Sequence, residues 1–451
     1  MAMGKLDSAK AIIAGFAMMA LEIAGARLLY PFFGSSMIIW ASIIGMFMLV
    51  LSIGYWLGAK ISPRKDAEEI VGRALLLSGM FVALLPFIGD FIRYLSLPWQ
   101  ILLPLSALLV SLPAISLSLV SPVLIEKTDK GHAGASAGTI YAVSTVGSIA
   151  GTFIPAFFML PVIGVAATLA AAGAMMAVLA ILFMKKPSGA HAACILVALA
   201  LFSGFAIAQP FGIPTYFYTA KVVDSAGARY LIMDGWAESS LNLSNHSAPV
   251  FEYAKVMAAR MRSLGNVRKV AIIGAGGCTQ VHHVKGIFPS ATIDVVDIDA
   301  KVFDICKSRF FVNEDDGVKF HVEDGRKFLE ENRGYDLIII DVFSSGCHLP
   351  PHIGSAEFFA TAARALSDNG SLMANVIVKA GGPANRAFCA TVATAFEEVS
   401  CEPLGQEGKI VNLVITAGKA RATPLPAVGR DIMTDDLNPI EASYGFECVP
   451  S

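Results

Sequence analysis

Apolar residues dominate the chain up to about residue 209, and beyond it short apolar and polar stretches alternate. A helix needs about 20 apolar residues to cross a bilayer, and about seven stretches reach that length between short polar joints. They cover roughly 10–30, 36–58, 70–89, 98–121, 137–159, 162–184 and 190–209. Lipid cannot satisfy backbone polar groups, so the pattern predicts a multi-pass α-helical membrane domain over 1–209.

The second half has the periodicity of an α/β domain. Residues 210–265 are predicted to form a small β unit, with strands within 215–243, and a linking helix over 249–264. In 266–451, strands are predicted at 268–273, 292–297, 318–322, 335–341 and 371–377. Helices are predicted between them at 278–288, 300–310, 324–332 and 354–366, with a further helix at 386–398 and strand at 409–416. Regular alternation of this kind is typical of a doubly wound, Rossmann-like sheet.

Composition narrows the classes of function. The net charge of −2 gives no basic field for nucleic acid, so no nucleic-acid partner is expected. The seven cysteines form no C-x-x-C pair, which favours reduced thiols in a cytosolic domain. His282 and His283 are adjacent and point to different faces of a helix, so no metal site is expected there.

The charges of the membrane half raise a conflict about orientation. Its Lys and Arg residues lie mainly in joints that prefer the cytoplasmic side of a membrane. If seven helices span the membrane and these joints face the cytoplasm, the C-terminal domain lies outside. A cytosolic cofactor requires the reverse. Pro104, Pro113 and Pro122 make 98–126 the segment where a span is most easily miscounted. We therefore expect a protein of the inner (cell) membrane with its catalytic domain in the cytoplasm.

The candidate site residues follow the predicted strands, where α/β sheets bind ligands. They are Gly274 and Gly276 after the first strand, Asp297 at the end of the second, Asp324 and Gly325 after the third, and Asp341 after the fourth. The glycine loop lacks the third glycine of G-x-G-x-x-G, which favours S-adenosylmethionine or a relative over NAD.

Several motifs carry a resemblance to a known family. They are Leu231-Ile-Met-Asp-Gly-Trp-Ala-Glu238, Val270-Ala-Ile-Ile-Gly-Ala-Gly-Gly277, Val296-Asp-Ile-Asp299, Glu323-Asp-Gly325, Asp341-Val-Phe-Ser-Ser345 and Thr434-Asp-Asp436. The 215–380 region resembles the polyamine aminopropyltransferases (spermidine synthases), and the whole chain resembles their membrane-fused relatives. The resemblance implies a thioether-adenosine donor, with Asp297 on the ribose, Asp324 at the adenine, Asp341 helping to deprotonate an acceptor amine, and Tyr253 lining that site.

The chain departs from the family pattern at three places. Gly277 stands where the family has an Asp that contacts the donor's propylamine, and Glu238 stands where it has Gln. The second acceptor-binding Asp beyond Asp341 is absent. Without the Asp at 277, intact S-adenosylmethionine becomes an acceptable donor beside the decarboxylated form, and putrescine is doubtful as acceptor.

The function expected from the sequence is a membrane-bound, aminopropyltransferase-like enzyme that uses S-adenosylmethionine or its decarboxylated form and releases methylthioadenosine. Asp341, Glu238 and Tyr253 are its expected catalytic residues, with Glu238 supplying charge complementarity. Gly274, Gly276, Gly277, Asp297, Asp324 and Gly325 are expected to bind the donor. The expected partners are a small amine and the lipid bilayer, and the sequence leaves a homodimer open.

Three alternatives remain at this point. In the first, the donor's own amine attacks and the enzyme is a methylthioadenosine-forming lyase or cyclase. The second is a methyltransferase, because the same fold binds the same cofactor. In the third, the nucleotide-binding domain regulates a transporter or sensor.

Overall fold

A computed structural model gives the fold. It describes residues 4–33, 37–92, 99–129, 131–209, 212–314, 317–343, 349–425 and 432–435. The chain forms two compact units, Met1–Pro214 and Thr215–Pro450. The first is helical and the second is α/β.

Long apolar helices build the first unit. They are α1 (Lys5–Phe33), α2 (Met37–Ile61), α3 (Ala67–Ile92), α4 (Trp99–Ser111), α5 (Ala114–Ser118), α6 (Val120–Thr128), α7 (Ala133–Ile154), α8 (Leu160–Phe183) and α9 (Gly189–Ala208). Within the described residues, five helical stretches are long and apolar enough to cross a membrane. The number is six if α4 and the α5–α6 pair, bent by 44°, form one span. Ala133–Phe183 is one of these five helical stretches, whereas the sequence predicts two spans there.

The stretch from α7 to α8 is not one straight helix. A π-helical turn, Pro155–Met159, joins the two, and Gly164 has non-helical angles of φ +80° and ψ 175°. The left-handed φ at Gly164 suits a residue without a Cβ. The polypeptide therefore changes direction close to the boundary predicted between 159 and 162.

Close backbone packing holds α1 against α7. Cβ atoms built on Gly147 and Gly151 would meet the backbone of Ile12 and Phe16, whereas one on Gly138 meets nothing within 4 Å. Small residues four positions apart on a helix allow such a close approach, and Gly147 and Gly151 have this spacing.

This contact predicts the effect of one added methyl group. In an open helix position, Gly→Ala stabilises by about 0.5–1 kcal/mol. We expect Gly147→Ala to lower the melting temperature of the detergent-solubilised protein, because the methyl group collides with the α1 backbone. Gly138→Ala is the matched control and should leave stability equal or raised. Equal melting temperatures for the two variants would contradict this packing.

The α/β unit begins with a small antiparallel sheet. After β1 (Ile213–Pro214), the strands are β2 (Thr219–Ser225), β3 (Ala228–Met233) and β4 (Trp236–Asn242). Two-residue turns with positive φ join β2 to β3 at Ala226-Gly227 and β3 to β4 at Asp234-Gly235. Turns of this type match the twist of a hairpin. Helix α10 (Glu252–Arg262) follows.

A seven-stranded sheet forms the centre of this unit, in the order β10-β11-β9-β8-β5-β6-β7. The strands are β5 (Lys269–Ile273), β6 (Thr292–Asp297), β7 (Val318–Val322), β8 (Tyr335–Ile340), β9 (Leu366–Lys379), β10 (Phe396–Pro403) and β11 (Ile410–Ala420). The helices are α11 (Thr279–Ile287), α12 (Ala300–Phe310), α13 (Gly325–Glu331), α14 (Ala356–Ala365) and α15 (Pro383–Ala393). Strands β5 to β9 are parallel, as predicted, and their apolar residues form the core.

Strand β10 differs from the prediction, whereas β11 matches the strand predicted at 409–416. Residues 386–398 are predicted as a helix, but α15 ends at Ala393 and β10 begins at Phe396. β10 is an edge strand, antiparallel to β11, which is antiparallel to β9. Edge strands are half exposed and rich in polar residues, so their apolar pattern is weak.

The cysteines also differ from the prediction. Cys278 is paired with Cys306, and Cys389 with Cys401, both as disulfides within the α/β unit. Their Cα atoms are 5.6 and 6.3 Å apart, within the range that a disulfide spans. The expectation of reduced thiols is therefore wrong for these four residues. Among the described cysteines, Cys194 is free.

Candidate active site

The glycine loop after β5 brings backbone close to two neighbouring segments. Gly274 has φ +94°, and a Cβ there would meet the carbonyl of Asp341. Gly276 has φ +48°, and its Cβ would lie 2.6 Å from Ser239 Oγ. Both glycines are therefore required by the backbone conformation and by space.

Gly277 lies in a more crowded place than the sequence suggests. Its backbone N–H donates to Ser239 Oγ over 2.9 Å. A Cβ on Gly277 would lie 2.9–3.1 Å from the Phe310 ring. Phe310 thus occupies the volume that a carboxylate side chain at 277 would need.

Asp297 closes the loop from the end of β6. Its Oδ2 accepts from Ala275 N–H at 2.8 Å and its Oδ1 from Asp299 N–H at 2.9 Å. Burial raises the pKa of Asp297 to about 6, although these backbone hydrogen bonds act in the opposite direction. Each oxygen keeps a lone pair that can accept a ribose hydroxyl. Asp299 itself caps α12 by accepting from Lys301 N–H, as predicted.

Asp324 is the N-cap of α13. Its Oδ1 accepts from the N–H groups of Arg326 and Lys327, and its Oδ2 lies 2.8 Å from His352 Nε2. Burial alone would raise the pKa of Asp324, but the Lys327, His352 and Arg326 contacts outweigh it and lower that pKa. Gly325 lies against Ile273 of β5 with no room for a side chain. The predicted adenine contact of Asp324 stays a prediction.

Three side chains from three helices and strands hold the carboxylate of Asp341, which follows β8. Oδ1 accepts from Asn375 Nδ2 at 2.9 Å, while Oδ2 accepts from Tyr253 Oη at 3.0 Å and Gln280 Nε2 at 3.2 Å. Burial raises the pKa of Asp341, and the three hydrogen bonds oppose that shift. Charge-assisted hydrogen bonds of this kind favour the ionised form.

A second layer fixes the donors of Asp341. Asn412 Nδ2 donates to Asn375 Oδ1 over 2.9 Å, and His283 Nδ1 lies 3.3 Å from Gln280 Oε1. Burial lowers the pKa of His283 to about 4, so this imidazole is neutral at physiological pH. His283 therefore orients an amide here, while its neighbour His282 contacts the Phe310 carbonyl.

Glu238 is a second carboxylate near Asp341, and its hydrogen bonding differs from that of Asp341. It lies on β4, is partly buried, and accepts no hydrogen bond from the described part of the chain. Burial raises its pKa well above the usual range, and the nearby charges of Asp341 and Asp234 add to the shift. Burial also raises the pKa of Tyr253, as do Asp341 and Glu238, so its hydroxyl stays protonated and donates to Asp341.

The structure thus brings Asp341, Tyr253 and the glycine loop together, and adds groups that the sequence analysis missed. These are Ser239, Gln280, His283, Asn375 and Asn412. The sequence alone could have indicated Asn375, because it is a polar residue within an apolar stretch of strand β9. The others are recognisable only through their partners. Residues 344–348 of the loop after Asp341, where the family's second acidic residue is absent, lie outside the described residues.

The fold and these residues define a class: a Rossmann-like domain with a glycine loop and carboxylates at the carboxyl ends of its parallel strands. Residues 251–377 match the spermine/spermidine synthase domain. This region of the chain is therefore spermidine-synthase-like.

Individual relatives are similar to part of the chain. The polyamine aminopropyltransferase of Vibrio vulnificus is 27% identical over 129 residues, which are 28% of this chain and 43% of the relative. Spermidine synthase 2 of Hyoscyamus niger is 35% identical over 115 residues, which are 24% of this chain and 37% of the relative. The chain thus spans less than half the length of these relatives. A solved structure, a probable spermidine synthase from Corynebacterium glutamicum, is 21% identical with a TM-score of 0.41, over 45% of this chain and 78% of the other.

The geometry of Asp297 predicts how the binding of a ribose-containing ligand depends on pH, with S-adenosylmethionine as the probe. Its pKa of about 6 means that the carboxylate is ionised above that pH and protonated below it. An ionised acceptor binds hydroxyls more strongly, so affinity should fall as the pH drops through about 6. Asp297→Asn should weaken binding near neutral pH by about 1–3 kcal/mol and flatten this dependence. Calorimetric titrations across that pH range test both effects, and unchanged affinity in the variant would exclude the role.

Proposed function

We propose that the chain is a membrane-bound alkyltransferase of the aminopropyltransferase type, with S-adenosylmethionine or its decarboxylated form as donor. The observation that carries this proposal is the buried carboxylate of Asp341. Three donors hold it beside the glycine loop, within a region that matches the spermine/spermidine synthase domain. Glu238 lies near Asp341, and Asp234 lies near Glu238. A site of this charge suits a cationic amine and a sulfonium.

The proposed reaction is a displacement at carbon. The nitrogen lone pair of an amine attacks the methylene carbon beside the sulfonium, a new C–N bond forms, and the C–S bond breaks. Its electron pair goes to sulfur, which leaves as the neutral thioether methylthioadenosine. The new ammonium group then loses a proton. A sulfonium is already a good leaving group, so the protein mainly aligns the reactants and excludes water.

The two central carboxylates have different tasks in this proposal. Asp341 is engaged with three donors, which make it a rigid acceptor that orients the attacking amine. Glu238 has no such donors among the described residues, and burial raises its pKa, which favours proton acceptance. We therefore assign the proton to Glu238 and a positioning role to Tyr253. The family has Gln at this position, and its neutral amide cannot accept the proton as the Glu238 carboxylate can.

Donor binding follows from the loop. Gly274, Gly276 and Gly277 let the donor approach backbone, Asp297 accepts from ribose hydroxyls, and Asp324 and Gly325 border the adenine. Phe310 packs over Gly277 where the family has a carboxylate for the propylamine. The absence of that negative charge supports intact S-adenosylmethionine as donor.

The helical unit is proposed to embed the enzyme in the cell membrane. Its support is the set of long apolar helices in the first unit. A small amine remains the proposed acceptor, and a homodimer remains open.

One incubation separates this proposal from its alternatives. Purified full-length protein is given S-adenosylmethionine, or the decarboxylated donor, with and without a panel of amines, and products are identified by mass. Methylthioadenosine with an alkylated amine supports the proposal. Methylthioadenosine without any acceptor indicates a lyase or cyclase, and S-adenosylhomocysteine indicates a methyltransferase. Binding without turnover would leave a sensor or transporter.

The division of labour predicts two different pH profiles. Glu238→Gln keeps the size of the side chain and should lower kcat/KM by roughly 10²–10⁴-fold while abolishing the fall in rate at acidic pH. Asp341→Asn should also slow turnover, but it keeps that acidic limb and moves it to lower pH. The shift arises because the charge of Asp341 helps to raise the pKa of Glu238. If Glu238→Gln retains the wild-type acidic limb, Glu238 is not the base.

Donor choice is a separate prediction. We expect intact S-adenosylmethionine to bind at least as tightly as the decarboxylated form, because position 277 lacks a partner for the free propylamine. Competition between the two donors in a binding assay measures this directly. A clear preference for the decarboxylated donor would show that another group replaces the missing carboxylate.

A further inference from the structure

The ends of several helices meet at one cluster of charges. The buried Lys10 Nζ bonds Glu68 Oε1 at 3.1 Å, and Lys127 Nζ bonds Glu68 Oε1 at 2.9 Å and Asp7 Oδ1 at 3.1 Å. Lys10 Nζ also lies 4.2 Å from the centre of the Phe183 ring. The starts of α1 and α3 and the ends of α6 and α8 therefore lie together. We call this the near end of the helical unit.

The stretch from α7 to α8 runs away from the near end and returns to it. Gly147 and Gly151 contact Ile12 and Phe16 in the same order, so α7 runs parallel to α1. On α8 the order is reversed. Gly173 contacts Gly79 of α3, whereas Met184, just past α8, lies against Gly72. The segment Ala133–Phe183 thus forms two arms and crosses twice.

The proline-rich segment crosses once. A Cβ on Gly54 would meet Ser118, and one on Gly58 would lie 2.9 Å from Pro122, so α5 and α6 run parallel to α2. Both α2 and α6 end at the near end, since Ile61 is followed within a few residues by α3 and Lys127 belongs to the charge cluster. The bend of 44° between α4 and α5–α6 does not turn the chain back. This segment therefore does not supply an extra crossing.

Helix α9 ends at the opposite end. It begins just after α8 returns to the near end. In its last turn, the centre of the Phe205 ring lies 5.6 Å from the centre of the Phe87 ring, near the end of α3. Because α3 starts at the near end, Phe87 marks the far end. Only a few residues separate Ala208 from Thr215, where the α/β unit begins. The chain therefore leaves the helical unit at its far end.

The basic residues of the helical unit are strongly biased towards the near end. By their positions on the helices and joints just described, the near-end group is Lys5, Lys10, Lys60, Arg64, Lys65, Arg73, Lys127, Lys185 and Lys186. Among the described residues, Arg27 lies towards the far end of α1. Lys and Arg in short joints stay on the cytoplasmic side of a membrane. This bias assigns the near end to the cytoplasm.

The disulfides are an independent observation on the other unit. Cys278–Cys306 and Cys389–Cys401 both lie within the α/β unit. Disulfides persist outside the cytoplasm and are rare within it, where thiols are kept reduced. Charge bias in one unit and cysteine pairing in the other thus favour the same side.

We infer that the α/β unit lies on the extracytoplasmic side of the membrane. This reverses the cytoplasmic placement expected from the cofactor. That expectation required a miscounted span, and the packing of α4 to α6 removes the segment in which the miscount was placed. The inference does not depend on which reaction the site performs.

Thiol labelling of spheroplasts tests the inference on the full-length protein. In a background of Cys194→Ala, Cys347→Ser and Cys448→Ser, one variant carries Ser244→Cys in an exposed loop of the α/β unit. The matched variant carries Ala190→Cys at the exposed start of α9, at the near end. A membrane-impermeant maleimide should label Ser244→Cys on intact spheroplasts. It should label Ala190→Cys only after lysis with detergent.

The opposite labelling pattern would overturn the inference, and so would equal labelling of both variants before lysis. A second measurement uses the unmodified chain, whose thiols are trapped by alkylation in acid-quenched cells before mass analysis. Recovery of Cys278 linked to Cys306 and of Cys389 linked to Cys401 supports the inference, and four alkylated cysteines contradict it. Neither measurement uses turnover, so an inactive protein would count against the proposed reaction and not against the orientation.

Discussion

The carboxylate of Asp341 is buried at low cost because Asn375, Tyr253 and Gln280 all donate to it. These donors come from β9, α10 and α11, so the site forms only when the sheet, the linking helix and the glycine-loop helix are assembled. An unpaired carboxylate in the same place would be expensive. The hydrogen-bond network therefore couples the folding of the α/β unit to the geometry of its site.

Close backbone approach is the second constraint, and it acts in both units. In the α/β unit, Gly274 and Gly276 let the loop after β5 pass against Asp341 and Ser239. In the helical unit, Gly147 and Gly151 let α7 lie on the backbone of α1. A side chain at any of these positions would separate the packed segments. In one unit this closeness opens space for a ligand, and in the other it fixes the direction of a helix.

Two carboxylates near one another behave differently because of their surroundings. Asp341 is held by three donors, whereas Glu238 accepts no hydrogen bond within the described residues, and burial raises the pKa of both carboxylates. Glu238 supplies one member of this pair, and the Phe310 ring packs against Gly277 in the nearby loop.

The sequence by itself determined the apolar helices, the parallel strands β5 to β9 and the positions of Gly274, Asp297 and Asp341 at strand ends. These features are local, because periodicity and strand-end chemistry are readable within about ten residues. The edge strand β10, the disulfide pairs, and the donors Gln280 and Asn375 were decided by tertiary structure. Each depends on a partner far away in the chain, as Cys278 depends on Cys306 and Asn375 on Asp341. The direction of the helices was likewise decided by packing. Hydropathy measures how apolar a segment is, but it does not show which end of a helix contacts which neighbouring helix.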